Sequence, residues 1–190
     1  MTTALLIIDV QNAILQGLGR PERQQQIDAA LQATVDRLQS VQAKARIADA
    51  PVVIVQYDGG ESHRLSRGSH GWQLRPEIRP IGGEAVVNKR SCDSFFETDL
   101  AERLAEKSVT HLVVGGCMTQ YCVDTTVRRA VSMGYDVTLL ADGHMTADAG
   151  SLGFEQIIEH HNSLLDGFDA GQHEVRIVSS SEVTFEQALS

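Results

Sequence analysis

Apolar and polar positions along the chain fall into two alternating textures. Short, unbroken apolar runs rich in β-branched residues occur at 4–10 (ALLIIDV), 51–57 (PVVIVQY), 84–89 (EAVVNK), 111–116 (HLVVGG), 136–142 (DVTLLAD) and 174–180 (EVRIVSS). Runs of this length without a polar alternate face predict strands buried on both sides. Between them the apolar spacing changes. Ile27, Leu31, Val35 and Leu38 recur every three or four residues within 24–48, which predicts a long amphipathic helix. Segment 98–107 predicts a helix with Thr98 as N-cap and Asp99 in its first turn. The helix that follows 111–116 carries Val123, Val127, Ala130 and Val131 on one face and ends at Gly134, and 151–165 reads as a further helix. Buried strands alternating with amphipathic helices predict an α/β fold: a three-layer sandwich around a central parallel sheet of about six strands, doubly wound by right-handed crossovers. No linker composition or repeat divides the chain, so a single domain over 1–190 is expected. The segment 58–83 is too long for a simple connector and reads as a lid or specificity loop.

Composition narrows the partners. A chain of 190 residues, 42% hydrophobic and 22% charged, is long and apolar enough for an ordinary globular core. A formal net charge of −9 argues against nucleic acid or an anionic membrane as the partner, since both require a basic footprint. The first apolar run lacks the basic flank and the length of a secretory leader, and no run has membrane-spanning length. Three cysteines without C-x-x-C spacing suit reduced thiols, so a cytoplasmic protein is expected.

Candidate chemistry follows from the sheet. Ligands of open parallel sheets bind beyond the carboxyl ends of the strands. The residues expected there are Asp9, Tyr57, Asp58, Lys89, Cys117, Cys122 and Asp142. Asp9 follows four apolar residues, and partial desolvation would make it a stronger base; the alternative is a loop cap in water. Lys89 taken alone is an ordinary solvated charge. Cys122 falls in the first turn of a helix, where free N–H groups and the dipole would lower a thiol pKa, so it is the nucleophile candidate. Cys92 and Cys117 read as small buried hydrophobes. His63 and His70 could be drawn with Asp58 as metal ligands, but the spacing is loose and no metal is expected. Trp72 is either an anchor over a pocket or a surface staple. The sequence has no G-x-S-x-G, P-loop, G-x-G-x-x-G or H-E-x-x-H motif, which removes serine-hydrolase, P-loop and zincin readings and weakens a dinucleotide one.

Three blocks, LLIIDVQN (5–12), VVNKRSCDSFFETDL (86–100) and VVGGCMTQYCVDTTVRRAVSMGYDVTLLADG (113–143), together resemble the isochorismatase-like cysteine hydrolases in order and spacing. The resemblance implies a parallel-sheet α/β sandwich with an Asp–Lys–Cys triad at Asp9, Lys89 and Cys122. It also implies a non-proline cis peptide at Cys117–Met118, with the N–H groups of Met118 and Cys122 as an oxyanion hole. Gln11, Tyr57, Trp72, Phe95 and Tyr121 are the candidate substrate-binding residues. The implied activity is cofactor-free hydrolysis of a C–N bond in a small amide or ureido compound through a thioester. Two departures shape that reading. The segment QYDGGESH (56–63) lacks the D-x-H metal motif of nicotinamidases, and a cysteine at 122 is generally missing from enzymes that cleave the vinyl ether of isochorismate. An ether hydrolase and a non-catalytic binding or redox-sensing module are the alternatives. A homodimer or homotetramer is expected from the family.

Overall fold

The computed structural model describes residues 2–185. Strands β1 (Thr2–Ile8), β2 (Val52–Tyr57), β3 (Ala85–Lys89), β4 (Val109–Cys117), β5 (Asp136–Met145), β6 (Asp169–Ala170) and β7 (His173–Val178) form one sheet. Their spatial order is β3-β2-β1-β4-β5-β7-β6. Among the described residues every pairing is parallel except that of the two-residue hairpin partner β6, which brings the strand count to seven rather than about six.

Helices α1 (Pro21–Ile47), α2 (Leu100–Glu106), α3 (Asp124–Ser132) and α4 (Phe154–Leu165) cover both faces. The reason β1 needs cover on both sides is visible in its own residues. Leu5 and Ile7 enter one apolar cluster with Ile27, Leu31, Val35 and Leu38 of α1, while Ala4, Leu6 and Ile8 enter the other with Val127, Ala130 and Val131 of α3. Side chains alternate across a strand, so a continuous apolar run supplies two cores at once. None of the helices is long and apolar enough to cross a membrane, among the described residues.

The strand order fixes where a site can form. The chain winds outward from β1 through β2 to β3, then crosses back so that β4 lies on the other side of β1. The crossovers on the two sides of the β1/β4 boundary diverge, which opens a crevice at the carboxyl ends of those strands. Backbone packing there is close. Gly116, with φ +125, lies so near β1 that an added Cβ would fall 2.1 Å from the Ile8 carbonyl oxygen. Only glycine combines that backbone conformation with that approach.

Two expectations are corrected here. Helix α2 begins at Leu100 with Asp99 at the cap position, and the Thr98 hydroxyl accepts from Leu100 N–H at 3.4 Å while donating to the Ser94 carbonyl at 2.6 Å. Strand β5 runs on to Met145 through an irregularity in its pairing with β4, so Asp142 lies within the strand rather than at its end. Its carboxylate accepts from the Ser180 N–H (2.8 Å) and hydroxyl (2.9 Å) and ties down the segment after β7.

Candidate active site

Asp9, the first residue past β1, takes φ 54, a left-handed conformation that a short polar side chain tolerates, and this bends the chain out of the sheet. Its N–H still donates to the Val55 carbonyl at 2.9 Å. Lys89 closes β3, two strands away, and reaches across beneath Tyr57 to place Nζ 2.9 Å from Asp9 Oδ2. Both side chains are almost wholly buried, at 0% exposure for Lys89 and 1% for Asp9. Nζ also donates to the Cys92 carbonyl at 3.1 Å. Neither Asp9 oxygen receives a well-aligned hydrogen bond among the described residues. That under-solvation governs the ionisation of the pair. Burial pushes the Asp9 carboxyl above its ordinary 3.8, against the pull of Lys89. For Lys89, burial acts against the ammonium, but Asp9 and Cys122 outweigh it and hold the proton on.

Cys122 comes from the far side of β1. Beyond β4 the Cys117–Met118 peptide bond is cis. Residues Thr119–Val123 then form one π-type turn before α3 begins at Asp124. Cys122 shares a cavity wall with Asp9, and its thiol is near enough to Asp9 and Lys89 to shift the ionisation of both. The lowered thiol pKa expected of a helix's first turn is overturned. Cys122 precedes α3, and burial together with the Asp9 charge pushes the thiol well above its usual range despite Lys89. A thiol so placed is neutral at rest and needs a base to ionise it.

These groups open onto a cavity of about 370 Å³ lined by Asp9 and Cys122, with Tyr57, Arg64, Met118 and Tyr121 among its walls. Of the candidate substrate-binding residues, Tyr57 and Tyr121 line this cavity and three others do not. Gln11 is fully buried behind the site, its amide donating to the Tyr57 (3.0 Å) and Trp72 (2.8 Å) carbonyls and accepting from Tyr57 N–H (3.0 Å). Both N–H donors and the oxygen of this amide are engaged in joining the ends of β1 and β2 to the long loop. Trp72 is a staple: its indole N–H donates to Asp58 at 2.7 Å, and Asp58 also accepts from Asn88 at 3.0 Å. Phe95 stacks on Tyr135 with centroids 5.9 Å apart, within the core beneath α2 and α3. Cys117 is buried as expected, but Cys92 is exposed and lines the cavity. Its position after β3 turns the backbone so that the carbonyl, not the thiol, serves Lys89.

Three wall or support residues went unanticipated. Gln120 and Arg64 line the cavity, and the buried Oε1 of Gln120 has no partner among the described residues. His144, near the end of β5, is buried, and burial pushes it down to about 4, so it is neutral. Asn162 Nδ2 donates to the Ala141 carbonyl at 2.9 Å, which turns Asn162 Oδ1 toward His144 Nε2 at 2.9 Å. Nε2 therefore carries the proton, and Nδ1 accepts from the Thr119 hydroxyl at 2.9 Å. This relay anchors the turn bearing Cys122 to β5 and α4. No three His, Cys, Asp or Glu side chains converge as a metal cluster among the described residues, and Asp58, His63 and His70 are not brought together as ligands.

The geometry has relatives. The Isochorismatase domain model matches residues 3–174. An uncharacterized isochorismatase family protein, YddQ, of Bacillus subtilis is 36% identical over 152 residues, covering 77% of this chain and 79% of that protein. A streptothricin hydrolase of Streptomyces noursei is 37% identical over 145 residues; the match covers 76% of this chain but only 55% of that enzyme. The crystal structure of a putative isochorismatase hydrolase from Oleispira antarctica superposes with a TM-score of 0.81 at 29% identity, over 95% of each chain. A match across nearly the whole sheet, from β1 to the start of β7, leaves one assignment: the chain belongs to the isochorismatase family and is a hydrolase of it.

Proposed function

We propose that this hydrolase cleaves the C–N bond of a small amide or ureido compound by nucleophilic catalysis, with Cys122 as nucleophile, Asp9 as general base and acid, and Lys89 as the charge that holds Asp9 in place. The observation that carries the reading is a buried carboxylate, lacking a well-aligned donor among the described residues, beside a neutral thiol on the wall of the same cavity.

The chemistry closes on these groups. As the sulfur of Cys122 forms a bond to the substrate carbonyl carbon, its proton passes to Asp9 and the carbonyl π electrons move onto oxygen. The N–H groups of Met118 and Cys122 receive that oxyanion, a contribution of about 3 kcal/mol when one such donor is removed from a comparable site. Collapse of the tetrahedral species breaks the C–N bond, and the leaving nitrogen takes the proton from Asp9. Water then gives a proton to Asp9 and adds to the thioester, and the acid leaves as Cys122 recovers the proton. Lys89 remains charged throughout, so Asp9 is never left as a bare buried anion. A relative named as a ureidoacrylate amidohydrolase supports amide C–N chemistry on this scaffold.

The test is release of ammonia or amine from a panel of small amides and ureides by the wild-type chain and by Cys122→Ser. The expected result is Cys122-dependent turnover, lost by on the order of 10³-fold or more in the variant. Full turnover by Cys122→Ser, or cleavage of a vinyl ether with none of an amide, contradicts the proposal.

A further inference from the structure

The charges around the cavity do not balance, and the residue responsible is Arg64. Of the acids on the wall, Asp9 is matched by Lys89 at 2.9 Å and Asp148 by Arg23 at 3.0 Å. His63 adds no charge: its Nδ1 accepts the Leu65 N–H at 3.1 Å, and burial together with the neighbouring Arg64 pushes it below its ordinary value. Arg64 makes no ion pair with any described acid. Its Nε donates to the Ile14 carbonyl at 3.1 Å, and its Nη2 lies 3.8 Å from Met118 Sδ. Burial pulls its guanidinium pKa down, opposed by Tyr57 and Cys122.

The loop packs closely around the backbone of this residue. Gly59 N–H donates to the Leu65 carbonyl at 2.9 Å, closing a tight turn around Arg64. A Cβ on Gly59 would fall 2.5 Å from His63 Nδ1, and one on Gly71 would fall 2.3 Å from the Arg64 carbonyl oxygen. A half-buried guanidinium that is fixed by one carbonyl and turned toward a cavity keeps unused N–H donors in the fork geometry that suits a carboxylate.

We infer that Arg64 is a specificity residue that binds a carboxylate of the substrate, so that the preferred amide or ureide is an acidic one. The inference rests on the amide-hydrolase reading above and narrows its substrate class. It makes the segment 58–83 a selector through one fixed charge.

The test compares half-amides and ureido acids carrying a free carboxylate, such as succinamate and 3-ureidopropionate, with their methyl esters. Wild type is expected to prefer the carboxylates in kcat/KM by about 10- to 100-fold, mostly through KM, and Arg64→Gln to bring that preference close to one. Arg64→Lys, which keeps the charge without the fork, should fall between them. Calorimetric binding of succinate and glutarate needs no turnover. Those dianions should bind wild type and weaken at least tenfold in Arg64→Gln, with a melting curve confirming that the variant is folded. Cys122-dependent turnover with esters equal to or better than acids overturns the Arg64 assignment and leaves the hydrolase reading intact. Carboxylate binding without any amide cleavage does the reverse. Equal binding of the dianions to wild type and Arg64→Gln also overturns the assignment.

Discussion

Two aspartates line the same cavity and each has a cationic partner, yet they are built for opposite ends. Asp148 is saturated. Arg23 grips it through two nitrogens at 3.0 and 3.1 Å, the Phe154 N–H adds a third hydrogen bond at 2.9 Å, and Arg23 holds Glu155 as well at 2.8 Å. These contacts, led by Arg23, hold the Asp148 carboxyl below its ordinary 3.8. Asp9 has a single ammonium at 2.9 Å, no well-aligned donor among the described residues, and almost no exposed surface, and it is displaced the other way. A carboxylate whose lone pairs are filled is a staple; one held in place but left unfilled can take a proton. Proximity to a cation is common to both, so the number and alignment of donors decides the role.

Breaking each pair separates them most sharply. Lys89→Met leaves Asp9 in the core without its counter-charge, and the cost expected is about 3–5 kcal/mol of folding stability, measured by urea denaturation, with activity lost alongside. A loss no larger than that of a surface substitution would mean that the pair is not buried as described.

The second contrast is in pH. Asp148 has a lowered folded-state value, so it adds stability above the unfolded 3.8 that is lost as pH falls through the lowered value. Asp9 has a raised one, so its contribution declines as pH climbs from 3.8 toward the raised value, over which the unfolded chain has ionised first. For activity the sign is fixed by mechanism, because Asp9 must be ionised to accept the thiol proton. The acid limb of kcat/KM is therefore expected above 3.8, and a limb at or below that value would remove Asp9 as the base.

The smallest effect belongs to Asp148→Asn. It should lower the melting temperature less than Lys89→Met and leave kcat nearly unchanged, since the pair is partly exposed and salt-screened. A collapse of kcat in that variant would erase the distinction between the two aspartates.

How far the sequence carried the reading depends on the range of the interaction concerned. The strands were legible because a parallel sheet buried on both faces writes its pattern locally, as in LLII and VVIV. Asp9, Lys89 and Cys122 were legible through strand ends and the three blocks that resemble the family. Positions governed by a distant partner were not. Gln11 and Trp72 look like pocket residues in one dimension, but the ends of β1, β2 and the loop claim their polar atoms. His144 was hidden because β5 runs three residues past Asp142. The shift of the Cys122 thiol was misread because helix position is local while burial is not. Arg64 carried no signal at all: an unpaired charge is recognised only when every neighbour is known.

The most direct test of the central claim, that Asp9 arms Cys122 for covalent attack, is acid-quenched mass spectrometry of the enzyme during turnover of an amide it hydrolyses. The account predicts an acyl mass on the peptide containing Cys122 in wild type, and its absence in Asp9→Asn at matched times. Steady turnover with Cys122 unmodified at every quench time, and with the adduct equally missing from a variant slowed in thioester hydrolysis, would contradict it.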